Sequence, residues 1–157
     1  ACGLSIPMEN ATYTAEARQG AFLNGARISV SKEPELKSML ISFNLDASSL
    51  ARSERAGDFY GKVVEEARNM RATNSVYDLA AVADGRLGAC ILHHSRIWDV
   101  VAPALLIQEA GGVCTSLDGS PLKFDVTEEG IKANYEFLGG SRPACKRLIE
   151  IRNSLRH

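Results

Sequence analysis

Asp99 stands directly after Trp98, where a short apolar run gives way to a helical one. In an open α/β sheet that junction borders the ligand crevice. A carboxylate placed there can hold a hard cation such as Mg²⁺. It can equally cap the helix, because Asp is a preferred N-cap. The residue by itself leaves both roles open. Asn74-Ser75-Val76 opens another helical run. Free backbone N–H groups at such a start can hold an anion or a hydroxyl, and Asn or Ser there also serves as an ordinary cap.

Other candidate groups carry less. His93 and His94 are adjacent on a strand, so they point to opposite faces and cannot share one ion without a bend; solvated edge histidines are the expectation. No Ser–His–Asp set emerges from His93, His94 and His157, and no P-loop or GxGxxG is present. Gly111-Gly112 ends a helix rather than starting one, which reads as a C-cap. Arg52–Arg55 reads as a solvated face. Glu65 and Glu66 are expected to pair on their helix with Arg68 and Arg71.

The elements that must position these groups are readable from periodicity. Ala11–Glu16, Ala21–Leu23 and Ile28–Val30 read as strands, the last two joined by Asn24-Gly25, a strong hairpin signal. Met39–Phe43 is a short buried strand. A polar stretch, Asp46–Asp58, precedes an apolar face of Phe59, Val63, Val64, Ala67 and Met70, which predicts a helix over Asp58–Met70. Arg71–Thr73 is extended. Ser75–Ala83 and Trp98–Ala110 are helical, with strands at Leu87–Leu92, Val113–Ser116 and Glu136–Gly139. Ser141 and Pro143 open a final helix. The alternation from Met39 onward predicts a layered α/β sheet, with a boundary in Ser31–Lys37.

Composition narrows the class. The 157 residues suit one domain; 45% are apolar and 24% charged, the balance of a globular chain. Eighteen basic against 19 acidic residues give a net charge of −1, which argues against a nucleic-acid binder working by phosphate neutralisation. No apolar run is long enough for a membrane span, and no secretory leader is visible. Cys2, Cys90, Cys114 and Cys145 stand at no metal or redox spacing and read as reduced, mostly buried thiols of a cytoplasmic protein. The chain enters directly on an apolar segment at Ala1, as a natural terminus after Met removal and a chain cut from a longer one would alike.

Three stretches together resemble the inositol monophosphatase family of Mg²⁺-dependent, lithium-sensitive phosphomonoesterases. They are Gly20–Gly25 with Ile28–Ser31, Arg71–Leu87, and Trp98–Gly112. Their order and spacing are the family's, and the third is its carboxy-terminal signature. The resemblance implies an αβαβα phosphatase fold of the inositol monophosphatase and fructose bisphosphatase type. Residues 1–31 would be terminal strands of a first antiparallel sheet, 32–37 a linker and 38–157 the complete second α/β half. It further implies that Asp99 holds catalytic Mg²⁺ and that Asn74, Ser75 and Val76 contact substrate hydroxyls.

The substrate class implied is a small phosphorylated polyol or sugar, and the enzyme implied is a homodimer without nucleic-acid or membrane partners. The family's upstream carboxylate motifs are not in these residues, so the chain is expected to be a carboxy-terminal part that is inactive alone. A non-catalytic α/β binding or assembly module is the alternative. Within the family, fructose bisphosphate, histidinol phosphate or a phosphoadenosine nucleotide are alternative substrates. The sequence departs from the family at Asn74, usually Gly, at Leu92, near a substrate-binding Glu of inositol-specific members, and at Val101, usually small. Pro103 falls close after Asp99 and predicts a helix start a residue or two later than that cap.

Overall fold

The computed structural model describes residues 1–44 and 54–155, without the side chains of residues 54 and 55. The Asp46–Asp58 stretch lies largely outside these residues, and the side-chain reading of Arg52–Arg55 cannot be placed on them.

The first sheet is an antiparallel meander. Its strands β1 (Cys2–Ile6), β2 (Ala11–Glu16), β3 (Gly20–Leu23) and β4 (Ala26–Arg27) follow in chain order. Asn24 and Gly25 both have positive φ, 49° and 82°, as a two-residue hairpin requires. The Asn24 side chain also ties the turn to the neighbouring strand: its Oδ1 accepts the Thr12 N–H and its Nδ2 donates to the Asn10 carbonyl. The returning strand is shorter and earlier than the predicted Ile28–Val30. The tight turn starts pairing at once, and the backbone then leaves the sheet so that the Val30 N–H can donate to the Ala110 carbonyl at a helix end.

The second sheet contains β5 (Leu40–Asn44), β6 (Asn69–Arg71), β7 (Ala89–Ser95), β8 (Val113–Thr115) and β9 (Tyr135–Gly140), in the order β6-β5-β7-β9-β8. Strands β6, β5 and β7 are parallel, and β9 runs antiparallel to both β7 and β8. The helices are α1 (Glu54–Glu66), α2 (Val76–Ala83), α3 (Ile97–Glu109), α4 (Glu128–Lys132) and α5 (Arg142–Ser154).

Two apolar cores define the layers. Helices α2 and α3 lie between the sheets, with Leu79, Val82, Val100 and Ile107 packed against Tyr13, Ala15 and Ala21 on one side and Cys90 and Phe137 on the other. Helices α1 and α5 cover the far face, where Phe59, Val63, Leu148 and Ile151 meet Ile41, Phe43 and Ile91. The result is a sheet–helix–sheet–helix stack, and strands with two covered faces read as continuous apolar runs.

Several expectations are corrected. Helix α1 ends at Glu66 rather than Met70, because the Arg68 N–H turns to the Leu36 and Met39 carbonyls and Asn69–Arg71 joins the sheet as an edge strand beside β5. Val64 is consequently exposed, and the helix buries only Phe59 and Val63 of the predicted stripe. Strand β7 runs Ala89–Ser95 rather than Leu87–Leu92, because both neighbours start pairing at Ala89 and β9 continues to Ser95, whereas β5 stops opposite Leu92. Helix α4 was absent from the expectation; its five residues are too short for an amphipathic period.

The carboxylates on α1 reach elsewhere than predicted. Glu65 pairs with Lys62 at 2.8 Å and Glu66 with Arg147 of α5 at 2.7 Å, not with Arg68 or Arg71, which lie beyond the helix end. The cysteines are free thiols, two of them buried and two half-buried. Burial pushes the Cys90 and Cys145 thiols up to about 12. No helix among the described residues is long and apolar enough to cross a membrane.

Candidate active site

The carboxy ends of parallel strands β5 and β7 open onto a cleft of about 280 Å³. Its floor comes from the strands: Asn44 ends β5, and Leu92, His94 and Ser95 end β7. Its rim comes from the amino ends of two helices, with Asn74, Ser75, Val76 and Leu79 at α2 and Asp99 at α3. All four residues singled out in the sequence, Asn74, Ser75, Val76 and Asp99, therefore face one space. Such a crevice beyond parallel strand ends is where open α/β sheets place ligands.

The α2 entrance is held from below. Asp78, 1% exposed, accepts the Ser42 hydroxyl at 2.7 Å and the Thr73 N–H at 3.2 Å through the same oxygen. Asn74 takes a left-handed backbone with φ 51°, and its N–H donates to Asn44 Oδ1 at 3.3 Å. Asn tolerates that region better than most residues. Asn44 is itself held by a 3.9 Å contact from its Nδ2 to the buried Cys90 Sγ. Ser75 is the N-cap of α2, accepting the Tyr77 N–H at 3.2 Å.

Asp99 is not an N-cap. Helix α3 begins two residues before it, with Arg96 as the N-cap and Asp99 in the third helical position. The exposed Asp99 carboxylate accepts the Arg96 N–H at 3.1 Å through Oδ2, and the Asp99 N–H returns to the Arg96 carbonyl at 3.0 Å. This reciprocal pair satisfies two donors of the helix start, and Asp99 lines the cleft from that position. The Arg96 guanidinium anchors the same turn to the Lys132 and Ala133 carbonyls at the end of α4.

Pro103 lies inside α3, opposite to the expectation of a later start. Lacking an N–H, it leaves the Asp99 carbonyl without its usual i+4 donor. The far end of α3 closes as expected: Gly111 has φ 87°, and a Cβ on Gly112 would stand 2.7 Å from the Gly140 carbonyl.

The histidines separate as alternation requires, but neither is on a sheet edge. β7 is central; His93 is 8% exposed, packed against the rings of Phe43 and Phe59 at 5.3 and 6.2 Å, whereas His94 is half-buried in the cleft wall. The register of β7 against β9 shifts between Leu92 and Ser95, an irregularity of the kind that re-aims side chains beside functional sites. Sequence reasoning missed Asn44, His94 and Ser95 as cleft residues. The available signal was the polar residues closing two largely apolar strands, Asn44 in β5 and His94-Ser95 in β7.

Among the described residues, no group of three or more His, Cys, Asp or Glu side chains converges on a potential metal position. Asp99 offers one hard oxygen ligand of the chemistry that Mg²⁺ takes, in a cleft that a phosphate and waters can share.

The sequence profile of the inositol monophosphatase family matches residues 4–153. The chain is 35% identical over 142 residues to the inositol monophosphatase of Mesembryanthemum crystallinum, covering 86% of this chain and 50% of that protein. It is 33% identical over 114 residues to the Nus factor SuhB of Escherichia coli K12, covering 72% of this chain and 43% of that one. The chain thus spans about half the length of these curated relatives. Among solved structures, the inositol monophosphatase of Anabaena (Nostoc) sp. PCC 7120 superposes with TM-score 0.83 at 25% identity, covering 97% of this chain and 57% of that one. The extragenic suppressor protein SuhB of Bartonella henselae gives 0.82 at 26% identity, covering 96% and 55%.

Proposed function

The chain belongs to the inositol monophosphatase family, and from that premise we propose that it is the substrate-facing part of a Mg²⁺-dependent phosphomonoesterase. The observation that carries this reading is the convergence of Asn74, Ser75, Val76 and Asp99 on one cleft between two helix amino ends. Two helix starts give the rim N–H donors and positive ends for an anion.

Asp99 Oδ1 would hold Mg²⁺, with Oδ2 fixed by the Arg96 N–H. When bound, Mg²⁺ supplies an activated water and neutralises charge on the phosphoryl oxygens. The loop at Asn74 and Ser75 would orient the alcohol part of the ester, its backbone held through Asn44 and Asp78. One carboxylate holds Mg²⁺ weakly, so this chain alone is proposed to turn over slowly or not at all. In the whole protein, the reading extends to a small phosphorylated substrate, a cytoplasmic site of action and a homodimer.

Phosphate release with Mg²⁺ and a panel of phosphomonoesters tests the reading, with Asp99→Asn as control and a titration of phosphate binding beside it. Mg²⁺-dependent phosphate binding that is lost in Asp99→Asn supports it even without turnover. Binding and turnover indifferent to Asp99→Asn overturn it.

A second reading is favoured by Asp99 being the one carboxylate among the described residues of the cleft and by relatives named as Nus factors: a non-catalytic assembly module built on the same α/β half. It expects no Mg²⁺-dependent phosphate binding at all.

A further inference from the structure

We infer that Arg96 is the positioning residue for Asp99: its guanidinium, seated on the closing carbonyls of α4, holds the Arg96 N–H where that donor fixes the Asp99 carboxylate at the cleft. The inference rests on the phosphomonoesterase reading, in which Asp99 is the cation ligand.

The first turn of α3 lacks a tie at Asp99 itself. Pro103 has no N–H, so the Asp99 carbonyl goes without its i+4 helical donor. Packing holds one side of the turn: Ile97 and Val100 are buried, whereas Trp98 and Asp99 are exposed. The Asp99 side chain is placed by the Arg96 N–H at 3.1 Å, so its position depends on where Arg96 is held.

Arg96 is held from outside its own helix. Its Nη1 donates to the Lys132 carbonyl and, at 3.1 Å, to the Ala133 carbonyl. The last carbonyls of a helix have no helical donor, and a basic side chain is a natural partner for them. The acceptors are fixed in turn. Tyr135 Oη donates to the Gly130 carbonyl at 3.1 Å and accepts the Asp125 N–H at 3.2 Å. Asn134 Nδ2 donates to the His93 carbonyl at 3.3 Å, and Ser95 Oγ donates to the Tyr135 carbonyl at 2.7 Å. The segment around α4 is thus fastened to the end of β7, immediately before Arg96.

A group that orients a cation ligand contributes to cation affinity, and its loss costs about tenfold or more. Arg96→Met keeps the aliphatic stem and removes the donors. Arg96→Lys keeps a charged donor, and because one nitrogen carries both bonds, an ammonium replaces part of them.

The test is calorimetric titration of inorganic phosphate into the chain over a series of Mg²⁺ concentrations. Arg96→Met, Arg96→Lys, Asp99→Asn and the double variant of Arg96→Met with Asp99→Asn stand beside the unmodified protein. The expected result is a half-saturating Mg²⁺ concentration raised about tenfold in Arg96→Met and partly restored in Arg96→Lys. The double variant should lose no more than Asp99→Asn alone, since Arg96 acts through Asp99. Amide hydrogen exchange is the readout without ligand: the N–H at position 96 should exchange faster in Arg96→Met than in Arg96→Lys. Circular dichroism checks folding. Should Arg96→Met fail to fold, Arg96→Gln carries the same comparison. Unchanged Mg²⁺ dependence and exchange in Arg96→Met, with affinity lost in Asp99→Asn, overturn this inference and leave the phosphomonoesterase reading standing. Additive losses in the double variant also overturn it, because Arg96 then acts independently of Asp99. Phosphate binding that is absent, or indifferent to Asp99→Asn, overturns both.

Discussion

Ser42 on β5 donates its hydroxyl to Asp78 at 2.7 Å in the buried space beneath α2. The same Asp78 oxygen accepts the Thr73 N–H, so a core carboxylate sets the height of the loop that carries Asn74 and Ser75. Removing the carboxylate in Asp78→Ala leaves two donors unsatisfied, each costing about 1–3 kcal/mol. The expected outcome is a urea midpoint lowered accordingly, together with loss of phosphate binding. Ser42→Ala removes one of the two donors and should cost about 1–3 kcal/mol with weaker effect on binding.

Asp99→Asn should fold as the unmodified chain does, because an amide oxygen can still accept the Arg96 N–H. Its Mg²⁺-dependent phosphate affinity should fall by at least about tenfold, since a neutral oxygen is a poorer ligand for a hard cation. Titration of phosphate with and without Mg²⁺ checks it.

Glu109 ends α3 and accepts two hairpin N–H groups, from Arg18 at 2.8 Å and from Gly20 at 2.9 Å. These bonds favour the charged form and hold its carboxyl below the ordinary range. The stabilisation is therefore present above the unfolded-state value and lost as pH falls through the folded one. In Glu109→Gln, the acid side of the stability profile should flatten. Chemical denaturation between pH 3 and pH 7 measures it, those limits being about a unit or more either side of an ordinary carboxylate.

Tyr13 behaves in the opposite sense. Burial, then its hydrogen bond to Asp84 at 2.7 Å, raises the phenol to about 12. The folded state keeps the proton longer, so stability is full below the ordinary tyrosine value near 10 and falls as pH rises toward about 12. Tyr13→Phe should remove one proton's share of that alkaline slope. The raised thiols of Cys90 and Cys145 supply a remaining share in the same direction. Denaturation at pH 8 to 11, roughly the span from below to above an ordinary phenol, separates the variants.

Strand β1 pairs with β2 on one side, and among the described residues nothing pairs its other edge. Unpaired edges recruit further strands. Sedimentation of the chain should show concentration-dependent self-association, and a charged substitution on the edge, Ser5→Lys, should reduce it.

The sequence by itself determined what depends on near neighbours in the chain. Asn24-Gly25 forced its turn because both residues accept positive φ. Ser75 and Ser141 started their helices because their hydroxyls reach nearby N–H groups. The family signature around Asp99 was readable for the same reason, being one continuous stretch. Only the tertiary structure decided what depends on strand order. His93 is buried because β7 is central, and a short apolar run does not say whether it will lie at the edge or the middle of a sheet. Asn44 and His94 join the cleft because β5 ends at Asn44 opposite Leu92 and β7 runs on past it, beneath two helix starts. That juxtaposition is set by pairing between distant segments, which no local pattern encodes. Asp99 became a third-position helix residue rather than a cap because the chain continues from β7 directly into α3, with Arg96 between them taking the capping place.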